Sequence, residues 1–387
     1  MVKLPVYMDY NATTPCDPRI VEDMTPYFTK HFGNAASRTH AFGWEAEEAV
    51  ELARERIANL IGAEPKEIVF TSGATESDNL AIKGVYELYG SKGNHIITCE
   101  TEHKAVLDTC KHLEKNGAEI TFLKVNADGL IDLKELEAAI KPTTILIAIM
   151  YANNEIGTIQ PICEIGRIAK KHSVLFFSDA TQAVGKIPVN VIDDGIDMMA
   201  LSSHKMYGPK GVGALYVRRK NPRVKLAAQI DGGGHERGIR SGTLNVPGIV
   251  GFGKAAEIAT NEMKNDSNRL SILRDKLERA LLKIDEIKVN GSIEQRIPNV
   301  TNISFKYVDG GALMSGLNKT IAVSTGSACS SASMEPSYVL KALGLEDDLA
   351  LSSLRFSPGK YTTEEEIDYV VEKVTSVVHE LRALISK

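Results

Sequence analysis

Cysteine is scarce. Five residues out of 387 (Cys16, Cys99, Cys110, Cys163 and Cys329) are odd in number, dispersed and never spaced C-x-x-C. That pattern argues against a disulfide framework and against a structural zinc site. The nine histidines form no H-E-x-x-H spacing, so no built-in metal site is readable. No apolar run approaches the ~18–20 residues of a membrane span; the longest clean one runs from Ile145 to Met150. An excess of one charge is missing too. Lys+Arg 45 against Asp+Glu 50 leave −5, which argues against a nucleic-acid-coating or membrane-surface protein. Asp9 and Asn11 come before any signal-peptide core could form, so the expected location is cytoplasmic.

What the chain does have is core. Apolar residues make up 43% and charged residues 25%, enough for one large domain with an appendage or for two to three domains. Between about residue 67 and residue 219 short apolar runs alternate with helical patterns. Strands are expected at 67–73, 95–100, 119–125, 144–152, 174–180, 198–202 and 212–219. Several are continuously apolar, as strands covered on both faces must be. Amphipathic stretches at 75–89 and 161–171 lie between them. This is the rhythm of an α/β protein with a mainly parallel seven-stranded sheet. A long helix precedes it, with Ala46, Ala49, Val50, Ala53, Ile57, Leu60 and Ile61 on one face. From about residue 256 the texture turns to charged helices, a strand at 299–305 and a final helix. That helix opens with Thr363 and Glu366 in capping-box spacing, and Ile367, Val370, Val374, Val377, Leu381 and Leu384 form its buried stripe. The expected organisation is a large domain over 15–256 and a smaller α+β domain made of 1–14 and 257–387.

Ligands of open α/β sheets bind beyond the carboxyl ends of the strands, and unusual polar residues collect there. Ala74-Thr75-Glu76, Thr101-Glu102-His103, Asn153-Asn154-Glu155, Asp179 to Gln182 and Ser202 to Lys205 follow five of the seven strands. Ser72 to Thr75 combine a strand end, a glycine and a helix start, which suits a phosphate; Ser202 and His204 can add donors to the same anion. Asp179 suits a heteroaromatic ring nitrogen, with Gln182 reaching another ring substituent. Lys205, between His204 and an apolar Met206, can be desolvated into a Schiff-base nucleophile. Taken singly, these residues also read as a helix cap, a turn acid and a surface lysine. Together they meet the requirements of pyridoxal 5'-phosphate. Cys329 lies in STGSACSSAS, ten small residues without a large apolar anchor. The expectation is an exposed, mobile tether for a nucleophilic thiol. Arg355 follows an apolar-serine stretch and suits a substrate α-carboxylate.

The chain resembles the NifS/IscS class of cysteine desulfurases, within the aminotransferase-like (type I) pyridoxal-phosphate fold. The resemblance runs through YMDYNATTP, SGATESDN, TEHKAV, ANNEIG, SDATQAVGK, SSHKMYGPKGVG, GGGHERGIRSGTLNVP, STGSACSSASMEPSYVL and SSLRFSPGKYTTEEEID. It implies that Lys205 bonds covalently to the cofactor, that Asp179 and Gln182 hold the ring nitrogen and phenolic oxygen, and that His103 stacks on the ring as an acid/base. Ala74, Thr75, Ser202 and His204 would bind the phosphate, completed by Thr243 from the partner subunit of a homodimer. Asn154 and Arg355 would bind L-cysteine, and Cys329 would carry the persulfide to an acceptor such as an iron–sulfur scaffold or a tRNA-thiolation protein. No stable metal, nucleic acid or membrane partner is expected, though a cluster shared in passing by Cys329 stays open. So do a selenocysteine lyase, another aminotransferase-like enzyme with an incidental Cys329, and a non-enzymatic sulfur relay. Asn34-Ala35-Ala36-Ser37 stands where the family usually has Asn-Pro-Ser-Ser, a loss of turn rigidity rather than of chemistry. The family's housekeeping members carry a longer tail than the 58 residues that follow Cys329 here (387 − 329), so docking to a scaffold through that tail is less expected than sulfur abstraction.

Overall fold

The computed structural model describes residues 2–325 and 335–385; Cys329 lies outside the described residues. In chain order the strands are β1 (Val6–Tyr7), β2 (Ile68–Thr71), β3 (His95–Cys99), β4 (Glu119–Leu123), β5 (Thr144–Ala148), β6 (Leu175–Asp179), β7 (Met198–Ser202), β8 (Gly213–Val217), β9 (Ile287–Asn290), β10 (Thr301–Phe305), β11 (Ile321–Ala322) and β12 (Ser353–Phe356). β2 to β8 form one sheet in the order β2-β8-β7-β6-β5-β3-β4. Its pairs are parallel from β7 through β6, β5 and β3 to β4, and antiparallel where β8 meets β7 and β2. The seven expected strands are all there. The expected run at 144–152 is trimmed most, yet Ile149 and Tyr151 still donate N–H bonds to the carbonyls of Phe177 and Asp179 (3.1 and 2.9 Å).

Side-chain alternation sends the sheet's apolar residues to two covers. Ile97, Ile147, Phe176, Met199 and Leu201 pack toward Val50 and Ile57 of the helix Ala41–Ile61 and toward Phe252. Ile96, Leu146, Phe177 and Met198 pack toward Leu80 and Ile82 of the helix Ala74–Tyr89 and toward Val106 and Leu113. Burying each such side chain stabilises the fold by about 1.5–3 kcal/mol, which is why runs apolar on both faces settle in the middle of the sheet.

A second core lies under the antiparallel sheet β12-β10-β9 and the parallel pair β1–β11. Ile303, Phe356, Val370 and Val374 meet Leu273, Leu277 and Leu281 there. The final helix, Glu364–Ile385, starts on the expected reciprocal cap. Thr363 N donates to Glu366 Oε2 (3.0 Å), and Glu366 N donates to Thr363 Oγ1 (3.2 Å). The change of texture near residue 256 falls inside a single helix, Val246–Leu281. Its first turns (Ile249, Phe252, Ala255) serve the large core and its last turns the small one. A Cβ on Gly253 would sit 2.5 Å from Ala53 Cα, so only glycine lets this helix lie against Ala41–Ile61. Among the described residues no helix is long and apolar enough to cross a membrane, and no three His, Cys, Asp or Glu side chains are grouped to hold a metal.

Candidate active site

The chain steps from β3 outward to β4, then crosses back to β5 and continues away to β6 and β7, so the strand order reverses between β3 and β5. A crevice opens beyond the carboxyl ends at such a reversal. His103 leaves from one side and Asn154 from the other. The two loops are stitched together: Asn153 Nδ2 donates to the Thr101 carbonyl (3.0 Å) and Met150 N to Glu102 Oε1 (2.6 Å). His103 caps the helix Lys104–Glu114, its Nδ1 accepting the Ala105 N–H (3.1 Å), which leaves Nε2 for chemistry.

The helix Ala74–Tyr89 is placed for an anion. Unlike the helices capped by Asp17, His40, His103, Asp132 and Asn245, it has no side chain bonded to its first turn. Its first intrahelical bond runs from Ser77 N to the Gly73 carbonyl (3.1 Å), so the N–H groups of Ala74, Thr75 and Glu76 are the unpaired ones of a helix start. Gly73 has φ +156°, and nothing lies within 4 Å of where its Cβ would be, leaving an open cradle. His204 follows β7 in the turn Ser203–Lys205. Burial, then the charges of Lys205, Lys210 and Lys186, bring its pKa down to about 4, so the ring is neutral at pH 7. Its Nδ1 shares a hydrogen bond with the Thr13 hydroxyl (3.0 Å), which fixes the ring's orientation. Thr243 is exposed, beyond a segment pinned to the helix Ala41–Ile61 by the buried Arg54–Glu236 pair (2.8 Å), to β2 by the Phe70 N–H donating to Glu236 Oε2 (2.8 Å), and to the helix start by Arg240–Glu76 (2.7 Å).

Asp179 ends β6, is 6% exposed and accepts the Thr181 N–H at Oδ1 (2.9 Å). Two more acids stand behind it. Asp78 is completely buried and neither of its oxygens meets a donor among the described residues; Glu102 Oε2 has none either. Burial raises both pKa values well above the usual range, and the Asp179 charge adds to this. A carboxyl whose pKa is higher folded than unfolded binds its proton more tightly in the native state, so stability falls as pH rises above ~4. Asp78→Asn removes that slope. Calorimetry of the holoenzyme is expected to show the variant gaining on the unsubstituted protein as pH rises above ~4, by up to ~1.4 kcal/mol per pH unit. A difference constant with pH would show that Asp78 does not titrate with folding.

Lys205 ends a short 3-10 turn, Ser203–Lys205, and its Nζ donates to the main-chain carbonyls of Asn11 (2.6 Å) and Ala12 (2.7 Å). Gln182 Nε2 donates to the same Asn11 carbonyl (3.0 Å). Arg355, on β12, is buried; its Nη2 donates to Asp9 Oδ1 (2.6 Å) and its Nη1 to the Asn154 carbonyl (3.1 Å). The fold thus brings Ala74, Thr75, His103, Asn154, Asp179, Gln182, Ser202, His204, Lys205 and Arg355 to one end of one sheet. Sequence reasoning missed the parts played by Asp9, Asn11, Asp78, Glu102 and Lys186. Asp9 and Asn11 stand in the N-terminal motif, but nothing in their spacing announces a partner more than a hundred residues away.

Both described flanks of the Cys329 segment reach this end. Arg355 N donates to the Ser324 carbonyl (2.7 Å). On the other side, Tyr338 Oη donates to the Glu102 carbonyl (2.7 Å) and Ser337 Oγ to Glu155 Oε2 (2.5 Å). Burial lifts the Glu155 pKa to about 7.

An amine and a carboxylate at neighbouring strand ends, beside an uncapped helix start with an open glycine cradle, fit pyridoxal phosphate and define the type I class of pyridoxal-phosphate proteins. The chain belongs to the aminotransferase class-V family, which matches residues 6–370. It is 60% identical over 384 residues to the cysteine desulfurase IscS of Anaeromyxobacter sp. (strain Fw109-5), spanning 99% of this chain and 95% of that one. Over 385 residues it is also 60% identical, with the same coverage, to the cysteine desulfurase IscS of Actinobacillus succinogenes. Among solved structures, a NifS-like protein superposes with a TM-score of 0.91 at 39% identity, covering 98% of this chain and 100% of that one. One described as SspA in complex with cysteine gives 0.81 at 39% identity, covering 92% and 100%.

Proposed function

We propose that this protein is a pyridoxal-phosphate-dependent cysteine desulfurase that takes the sulfur of L-cysteine onto Cys329 and releases L-alanine. The observation that carries this reading is the tethering of both flanks of the Cys329 segment to the site, at Arg355 on one side and at Glu102 and Glu155 on the other. Three residues separate Thr325 from Cys329, so four Cα-to-Cα steps span up to about 14 Å.

The cofactor, when bound, supplies an electron sink for the pair left by the substrate Cα–H bond. Lys205 would hold it covalently and, when its amine is free, would accept the Cα proton at Nζ. Asp179 would hold the ring nitrogen and Gln182 the phenolic oxygen, and His103 would stack on the ring and move protons at Nε2. Ala74, Thr75, Ser202 and His204 take the phosphate. Asn154 and Arg355 hold the substrate carboxylate. The Cys329 thiolate attacks the substrate sulfur: an S–S bond forms, the Cβ–S bond breaks, and its electron pair stays with carbon. That fragment takes up protons and leaves as alanine, so the thiol is oxidised to a persulfide as the carbon is reduced.

Residues 15–256 act as the cofactor-binding domain, and 1–14 with 257–387 as the domain that carries Cys329. A homodimer is supported by exposed Thr243 and by the exposed aromatic side chains Phe28, Phe32, Phe42 and Trp44, of which Phe32 and Phe42 lie together with ring centroids 5.3 Å apart. A thiol nucleophile needs reducing surroundings, which suits the cytoplasm, and the persulfide goes to an iron–sulfur scaffold or a tRNA-thiolation protein. The test is incubation of holoenzyme with L-cysteine and a thiol reductant. Alanine and sulfide in equal amounts are expected; faster turnover of selenocysteine than of cysteine, or no alanine, overturns the reading.

A further inference from the structure

Asn11 has all its polar atoms engaged by six different residues. Its main-chain carbonyl accepts from Lys205 Nζ (2.6 Å) and Gln182 Nε2 (3.0 Å). Its Oδ1 accepts from Lys186 Nζ (2.9 Å) and Asn299 Nδ2 (3.0 Å). Its Nδ2 donates to the Asn154 carbonyl (3.1 Å), and its N–H to Ser357 Oγ (3.1 Å). The residue is 1% exposed. Gln182, Lys186, Lys205 and Asn154 come from the large sheet's loops, while Asn299 and Ser357 flank β10 and β12 of the small sheet. Asn11 therefore joins the two cores at the point where the reactive lysine ends.

We propose that Asn11 is a positioning residue for Lys205: with Ala12 it forms a two-carbonyl seat that receives the lysine amine whenever that amine is not bonded to the cofactor, and its side-chain amide holds the seat in place. The proposal rests on Lys205 being the reacting lysine, as proposed above. Carbonyl oxygens only accept, so two of them in line with Nζ favour the amine in its ammonium form. That is the form Lys205 takes after removing a proton from substrate. The seat gives that proton a stabilised place inside a buried site, where an unmatched ammonium costs heavily.

The charges around the seat keep this balance narrow. Lys186 also donates to Gln182 Oε1 (2.5 Å), so its amine meets two neutral acceptors and, among the described residues, no carboxylate. Burial, then Lys205 and Arg355, lower its pKa well below that of a free lysine. Arg355 is paired with Asp9 (2.6 Å). A cavity of about 30 Å³ beside Lys186 and Lys205 is also lined by Tyr10, Tyr207, Glu262, Asp266 and Lys360, but Glu262 is taken by Arg19 and Lys360, and Asp266 lies 3.7 Å from Lys360. His204 is neutral. The oxygens of Asn11 (2.6 Å) and Ala12 (2.7 Å) are acceptors that bear directly on where the Lys205 proton resides.

The test measures the pH midpoint of Lys205 acylation by trace acetic anhydride on the full chain stripped of cofactor, read by peptide mass spectrometry. Asn11→Ala loosens the seat and is expected to lower the midpoint by about half a unit or more; Asn11→Asp keeps the acceptor, adds a negative charge and is expected to raise it by about one unit. In holoenzyme, Asn11→Ala is expected to lower kcat by about tenfold or more with KM for cysteine within about twofold. Midpoints unmoved in both variants, with melting temperatures near that of the native protein, would sink the proposal. If Asn11→Ala does not fold, Asn11→Asp alone decides through the rise or its absence. Labelling needs neither cofactor nor cysteine, so a failed desulfurase assay and a failed seat give separate results.

Discussion

The Lys205→Ala protein is expected to be colourless and inactive yet folded. Colour from cofactor bonded to the protein should vanish, and alanine formation should fall by at least ~10⁴-fold, since one side chain supplies both the covalent hold and the proton acceptor. The structure explains why the fold should survive. Lys205 Nζ rests on two main-chain carbonyls, and one of these, on Asn11, keeps a donor in Gln182 Nε2. The apolar cores do not depend on this amine. Absorbance scans, alanine assay and calorimetry read the three consequences separately. A variant that keeps its colour would show that another amine, Lys186 being the nearest candidate, carries the cofactor.

Cys329→Ala separates cofactor chemistry from sulfur transfer. The variant should keep its colour and still respond to L-cysteine with a change of absorbance, because no group that holds the cofactor is touched. Alanine and sulfide should fall to background, since without the thiolate nothing takes the sulfur from carbon. Alanine produced at the unsubstituted rate would mean that the thiol is a bystander and that this site runs another class of reaction. The other four cysteines do not offer a substitute. Cys99 and Cys110 are buried with pKa values pushed up to about 12, and burial raises those of Cys16 and Cys163 as well. A thiol held in its neutral form is a poor nucleophile.

Much of the sheet was legible because its signal is local. Continuous apolar runs such as 145–150 and the polar residues after each strand report their own burial and position without reference to a partner. The small core was read less completely. β9, β12 and the two-residue pair β1–β11 are short, and β1 pairs with a strand more than three hundred residues away, which no window of sequence contains. The helix Val246–Leu281 was split in reading at residue 256 because the residues it faces change there, although its backbone does not.

From sequence alone come the α/β class, the seven strands and the kinds of chemistry at their ends, since periodicity and residue type act over a few neighbours. Only the tertiary structure decides that Asp9 grips Arg355, that Asn11 seats Lys205, and that both oxygens of Asp78 and Oε2 of Glu102 stand behind Asp179 without a donor among the described residues. Those relations depend on sheet order, helix placement and the docking of two cores. A hydrogen bond is made between atoms that end up about 3 Å apart, and the chain must be folded before distance along it stops mattering.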